Sequence, residues 1–427
     1  MIFLFNNIKR SVAARLMLVT ACFFTTQYSL AQPYTPESDS SVVEVLPAAI
    51  IELSADIREL QASEAGAGPV NAPALLQLAM ESYQLAASSG EARAYGRTLS
   101  ILQRWPEGTE KPATYHILMA AVLQHNHEFN AALEHLQPLT SDTNNNRTVI
   151  IQSLMMQAQI GLVIGDYDLV EQSCTALRSS ARQPVFLNCQ AQLDGIRGNA
   201  EEALNTLTTT LSNGNDLNAL DYQELLTTAA AISHRTGDAT QAERYYRAAL
   251  SLSPGNTYLV VNYSNLLLER GRSADVINLL SSYSDEELNT ELRIIMARAL
   301  RARNTGSDQQ RAENFFATLE EDFQLAFLRD EAVPHKEYAQ FALYLADLPE
   351  AALNAAKDNW QLQKEPSDTL LLASAAAAND DQDTLDEVDR WIRTIGTQDV
   401  RLQRLLDSQS EGQGQGQNQD SARETSP

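Results

Sequence analysis

A glycine-marked turn recurs at a spacing of 34 residues, from Gly237-Asp238-Ala239 to Gly271-Arg272-Ser273, and the residues around it recur with it. Before the first turn Leu226, Ala229 and Ala230 share one helical face, and after it Ala242, Tyr246 and Ala249 share another before Pro254. Before the second turn come Val260, Tyr263, Ser264 and Leu267, and after it Val276 and Leu280. Apolar residues three and four apart specify amphipathic helices, and glycine between them ends one helix and lets the next begin. Ala230, Ala242 and Ala249 allow two antiparallel helices to approach closely, with Leu226 and Tyr246 expected to fill the space between them. Such a pair has apolar surface on two sides and cannot bury both alone, so neighbouring pairs must stack.

Weaker copies extend both ways. Upstream are Gly165-Asp166-Tyr167 preceded by Ala158, Gly198-Asn199-Ala200 followed by Ala203 and Leu207, and a unit with Ala120, Leu123, Phe129, Ala132 and Leu136. Residues 73–108 read as a divergent first pair, with Leu75, Leu78 and Leu85 facing Tyr95, Leu99 and Leu102. Downstream, Met296, Ala299, Leu300, Ala312 and Phe316 form a unit with one residue inserted near Gly306. Phe341 to Ala355 form another, and Ala373 to Ile392 a final pair that Trp391 is expected to seal. The pattern resembles the tetratricopeptide repeat over 110–400, with the closest match at 222–282. It implies an all-α fold, a right-handed α-solenoid of seven to nine stacked antiparallel helix pairs. Segments such as Asn359-Trp360-Gln361-Leu362 also resemble uncharacterised exported bacterial repeat proteins, a likeness that bears on fold and compartment alone.

The chain divides into a signal peptide at 1–31, a flexible leader at 32–42, an N-terminal helical cap region at 43–112, the repeat array at 113–407 and a disordered low-complexity tail at 408–427. In the signal, Lys9, Arg10 and Arg15 precede the apolar run Leu16 to Phe24, and Ser29-Leu30-Ala31 forms a cleavage site before Gln32. A competing reading takes Val19-Thr20-Ala21-Cys22 as a lipoprotein box with Cys22 acylated. Either way the chain is expected to be exported, periplasmic or secreted, with no membrane span after signal removal.

The fold resemblance implies an interaction scaffold that holds a protein or peptide partner on the concave face lined by the first helix of each pair. Inner-face register selects Glu224, Thr227, Ala231 and His234, then Tyr258, Val261, Asn262, Asn265 and Leu268, then Arg298 and Arg301. Some tetratricopeptide repeats clamp a terminal carboxylate with five such positions. Asn262 and Arg298 match two, and Thr227, Ala231 and Ile294 depart from the others, so a full clamp is not expected. The ligand-binding candidates are therefore Tyr258, Asn262, Asn265, Arg298 and Arg301, with the amides bonding a ligand backbone and the arginines attracting an acidic group. The alternative is that these are ordinary solvated polar residues. Arg293, Arg298, Arg301 and Arg303 make a basic helix in a chain whose net charge is −24. That charge argues against a nucleic-acid partner, which requires a basic surface.

Cys174 and Cys189 fall on adjacent helices of successive pairs, where an oxidising compartment favours a disulfide over two buried thiols. His116, His125, His127 and His135 lie close in sequence, and His125 and His127 beside Glu128 raise the alternative of a metal-binding repeat. Their spacing matches no zinc motif, so neither a metal nor a cofactor is expected. There is no phosphate-binding glycine loop, no Gly-x-Ser-x-Gly elbow and no His-Glu-x-x-His helix, and the chain reads as non-enzymatic.

Overall fold

A computed structural model describes residues 71–409 apart from 90–91, 143, 215–216, 286, 330 and 332. The signal peptide, the leader, residues 43–70 of the cap region and residues 410–427 of the tail lie outside the described residues. No strand occurs among those described.

Among the described residues nine antiparallel pairs follow one another. They are α1 (Ala72–Ser89) with α2 (Ala92–Leu102), α3 (Ala113–His125) with α4 (Phe129–Ser141), α5 (Arg147–Ile164) with α6 (Tyr167–Ser180), and α7 (Gln183–Ile196) with α8 (Ala200–Asn213). Then come α9 (Ala219–Arg235) with α10 (Ala239–Leu252), α11 (Thr257–Glu269) with α12 (Ser273–Leu280), and α13 (Thr290–Arg303) with α14 (Gly306–Leu328). The last are α15 (His335–Tyr344) with α16 (Pro349–Leu362) and α17 (Pro366–Ala378) with α18 (Gln382–Ile395). A further helix, α19, spans 400–409.

The helix starts are written in short polar residues. Asn146, Asp166, Asp238, Asn256, Asn289 and Asp381 each cap a helix by accepting a hydrogen bond from a first-turn amide, and Asn218 forms a reciprocal capping box with Asp221. Turns need a left-handed residue. Gly165, Gly198, Gly237 and Gly271 supply it in four pairs, and His127, Asn304, Asp347 and Asp380 supply it in four others. Asn and Asp tolerate this conformation because their side chains bond the local backbone. The insertion expected near Gly306 is therefore placed differently. Asn304 occupies the turn position and Gly306 is the first residue of α14.

In the best repeat, Ala229, Ala230, Ala242, Ala249 and Tyr246 are completely buried. Leu225, not Leu226, is the fully buried leucine of α9, and Leu226 packs on the edge of the same core. At the N-terminus Leu75, Leu78 and Leu102 are buried where α1 meets α2, and Tyr83 meets Tyr95 edge-on at 5.9 Å. Helix α5 has the length and mean hydropathy, 1.3, of a bilayer span. Here its Leu154, Ala158 and Ile160 are buried against neighbouring repeats, as in the core helix of an array.

Cys174 on α6 and Cys189 on α7 are joined by a disulfide, with Cα atoms 5.6 Å apart. The bond ties consecutive pairs by closing a loop of 15 residues. Alkylation of the denatured, unreduced protein from an oxidising compartment is expected to label neither cysteine. Mass-spectrometric recovery of both as alkylated residues would exclude the bond.

The array also returns onto itself. Lys364 N–H donates to Val163 O at 2.6 Å, and Gln363 Nε2 lies 2.8 Å from His127 Nδ1. Trp391 packs over the αL turn residue Gly165, the backbone of Gly396 over Gly198, and Val400 over Gly237. Trp391 thus does not seal the end of the array. It packs the C-terminal pair against the α5–α6 turn, edge-on to Trp360, with the Lys364 ammonium over both rings.

Candidate functional site

The curl forms a half-open cavity of about 590 Å³, lined by the first helices of five consecutive pairs, α9, α11, α13, α15 and α17, together with α19 and Tyr246 of α10. A concave face lined by the first helix of each pair was expected from the resemblance. The returning C-terminal helices partly roof this part of it. The volume suits a compact ligand or a short stretch of peptide.

Four of the five sequence candidates come together here: Tyr258, Asn262, Asn265 and Arg298 all line the cavity. Tyr258 keeps half its surface open to it. Asn262 spends one N–H on the Tyr258 carbonyl of its own helix, 2.8 Å away. Arg301 does not reach the site. Its guanidinium donates to Leu345 O and lies over the Phe316 ring, centroid 5.1 Å away, and so joins α13 to its neighbours.

The other arginines of the basic helix are engaged by their own chain, two of them by carboxylates and Arg301 by the Leu345 carbonyl. Arg293 meets Asp322 at 3.6 Å and Arg303 holds Asp308 through two hydrogen bonds. Arg298 differs. Among the described residues it has no carboxylate partner, and its guanidinium stacks on Tyr344 with 3.9 Å to the ring centroid. Burial pushes its pKa down, the mark of a cation that has lost water without gaining a full counter-charge.

Two further wall groups are incompletely satisfied. Arg235 is buried and donates one N–H to Gly195 O at 2.9 Å, but its Nε has no partner among the described residues. The Tyr246 hydroxyl is likewise buried without a hydrogen bond among the described residues, and burial pushes its pKa well above the usual phenol range. Buried polar groups left unpaired cost stability, about 1–3 kcal/mol each, which a ligand that satisfies them recovers.

One edge of the cavity is latched. Arg401 of α19 holds Asp399 through two hydrogen bonds and reaches Glu269 Oε1 at 3.2 Å, while His234 Nε2 lies 2.8 Å from Glu269 Oε2. Burial alone would raise the Glu269 carboxyl, but the His234 hydrogen bond and Arg401 outweigh it and hold it below the usual carboxylate range. At another edge Lys336 lies 3.3 Å from Asp368, with Glu291 and Glu365 also in the cavity lining. Sequence register selected Ala231, His234, Tyr258, Val261, Asn262, Asn265 and Arg298 of this lining, but not Arg235, Glu269 and Glu291 on the same three helices, nor Tyr246, which it placed in the core. It missed Lys336, Tyr344, Glu365 and Arg401, because nothing local shows that α15, α17 and α19 fold back across α11.

The histidines do not form a shared site. His125 stacks on Tyr95, His127 occupies an αL turn and bonds Gln363, and His116 pairs with His135 at 2.9 Å between Nδ1 atoms. Among the described residues no group of three or more His, Cys, Asp or Glu is placed to hold a metal.

Residues 234–300 match the tetratricopeptide repeat. No curated protein matches the chain. Among solved structures, it is similar to a tetratricopeptide repeat protein from Parabacteroides merdae at 14% identity, covering 58% of this chain and 93% of that one with a TM-score of 0.35. It is similar to yeast Tom70 at 11% identity, covering 86% of each with a TM-score of 0.38. It is also similar to human IFIT1, in a dimer with PPP-AAAA, at 12% identity, covering 83% of this chain and 92% of that one with a TM-score of 0.40.

Proposed function

We propose that this chain, a tetratricopeptide-repeat α-solenoid, is a non-enzymatic scaffold that captures a short segment of a protein partner in the cavity on its inner face. The observation that carries this reading is the set of unmatched polar groups in one wall: Arg298 without a carboxylate, and the Arg235 Nε and Tyr246 hydroxyl without partners among the described residues. An acidic side chain of the segment would seat on Arg298, while Asn262 and Asn265 bond its backbone. The net charge of −24 disfavours a nucleic-acid backbone as the occupant.

Export is part of the proposal and rests on the pattern of residues 1–31. Mass spectrometry of the mature N-terminus distinguishes a free chain starting at Gln32 from a lipid-anchored one starting at Cys22, which would assist assembly at an envelope surface.

Crosslinking in the envelope fraction, followed by mass-spectrometric identification, tests the partner reading when wild type is compared with Arg298→Glu. Reversing this charge is expected to reduce recovery of the specific partner at least tenfold, or about 1.4 kcal/mol, with the helical circular-dichroism spectrum unchanged. An identical set of crosslinked proteins from both would overturn the reading.

A further inference from the structure

A second recess lies among α5, α6, α7 and α9, outside the residues that line the larger cavity. Its volume is about 110 Å³, the space of three or four waters at ~30 Å³ each or of one branched aliphatic side chain. Leu177, Val185 and Leu225 give it apolar walls. Met155 and Leu220 also line it and are 45% and 63% exposed, so they form an apolar rim that the fold leaves uncovered.

Two polar groups in the same lining lack a counterpart. Asn188 Oδ1 is buried and accepts no hydrogen bond among the described residues. The Glu224 carboxyl makes no ion pair among the described residues and has only a 3.5 Å contact from Gln223 Nε2. Burial holds its pKa above the usual carboxylate range. Its neighbour Asp221 is different, being paired with Arg182 at 2.6 Å and fixed in the α9 capping box.

We propose that this recess docks an extended peptide segment of a partner protein that presents an aliphatic side chain with a lysine or arginine beside it. The aliphatic group fills the recess against Leu177, Val185 and Leu225. A backbone N–H of the segment donates to Asn188 Oδ1, and the adjacent cation pairs with Glu224, which has none among the described residues. An apolar anchor gives affinity, and the two polar contacts set register and neighbouring residue. The proposal rests on the reading of the inner face as a peptide-binding surface, but not on the arginine cavity.

The test uses the purified full chain and a fluorescently labelled, end-capped pentapeptide, Gly-Lys-Leu-Lys-Gly, read by anisotropy. Replacing the peptide leucine by alanine is expected to weaken binding at least tenfold. Replacing both lysines by glutamine should weaken it severalfold and remove most of its salt dependence. Glu224→Gln should make the lysine and glutamine peptides equivalent, and Leu220→Gln, an exposed position, should weaken both. Arg298→Glu should leave all of these titrations unchanged, which separates this pocket from the larger cavity. Equal binding of the alanine peptide would overturn the proposal, because the attraction would then be charge alone. Indifference to Glu224→Gln, or loss of binding with Arg298→Glu, would also overturn it. So would sedimentation showing a dimer that Leu220→Gln converts to a monomer, since a second copy would then be the occupant.

Discussion

Replacing Gly198 by alanine is expected to detach the C-terminal helices from the array while leaving the array folded. Gly198 holds φ at +86° in the turn between α7 and α8, and a Cβ there would stand 2.9 Å from the carbonyl oxygen of Gly396. Two costs coincide. The left-handed conformation disfavours any residue with a side chain by about 1 kcal/mol or more, and the approaching atom is backbone, which cannot rotate aside as a side chain can. The closure brings Gly396 to Gly198, Trp391 to Gly165 and Val400 to Gly237 along three successive turns, so lifting one contact loosens the other two. We expect a total loss of about 2–4 kcal/mol. Hydrogen exchange should show it as lost protection in α18 and α19, with α9 to α12 still protected. Gly271→Ala is the control, since Gly271 has φ of +69° but nothing within 4 Å of the Cβ position. It should show the conformational cost alone. Equal exchange profiles for the two variants would mean that the closure contributes nothing.

That contrast marks how far sequence reasoning reaches. The pairwise architecture was legible because Gly237 and Gly271 carry both the period and the left-handed turn, and because Ala229, Ala242 and Ala249 mark helix faces that touch. Legibility fell where chemistry substituted for glycine: Asn304, Asp347, Asp380 and His127 take the same backbone conformation without the same letter. Helix length also varies. The 23 residues of α14 stretch the interval between the turns at Asn304 and Asp347, so a fixed period slips there.

The inner-face candidates divide by the same rule. Tyr258, Asn262, Asn265 and Arg298 follow from the register of α11 and α13 alone. Arg301 sits one turn of analogy away from Arg298, yet it faces the Leu345 carbonyl and Phe316, which only the packing of α15 and α14 reveals. The opposite wall depends on the curvature accumulated over many repeats. Small rotations per repeat add up to the return of Lys364 onto Val163, and no local pattern encodes that sum.

The same wall carries the second large effect: Lys336→Met should destabilise the protein by about 3–5 kcal/mol at neutral pH. Lys336 is the second residue of α15, with its side chain only 20% exposed, and it lies 3.3 Å from the fully buried Asp368 carboxylate. Burial works against the lysine charge, but Asp368, Glu291, Glu365 and Glu337 outweigh it and raise its pKa well above the usual range. The carboxyls bear the reciprocal strain. Burial first, and then repulsion from Asp368 or Glu291, holds Glu365 and Glu337 above the usual carboxylate range even with Lys336 present. Methionine keeps the length and removes the charge, leaving the acids without their cation. A carboxyl whose folded pKa exceeds its unfolded value lowers stability above the folded pKa and is neutral in its effect below the unfolded one. The variant should therefore regain stability as pH falls from 7 to 5, more steeply than wild type, whose lysine already compensates part of the repulsion. Urea denaturation midpoints at pH 7, 6 and 5 measure both the loss and its slope. A loss of the same size at all three values would mean that Lys336 acts through packing rather than charge. Because Lys336 and Glu365 both line the 590 Å³ cavity, the titration that rescues the fold also removes negative charge beside the place proposed for the partner segment. An acidic segment seated on Arg298 should bind more tightly at pH 5.5 than at pH 7.5 while its own carboxylate stays ionised.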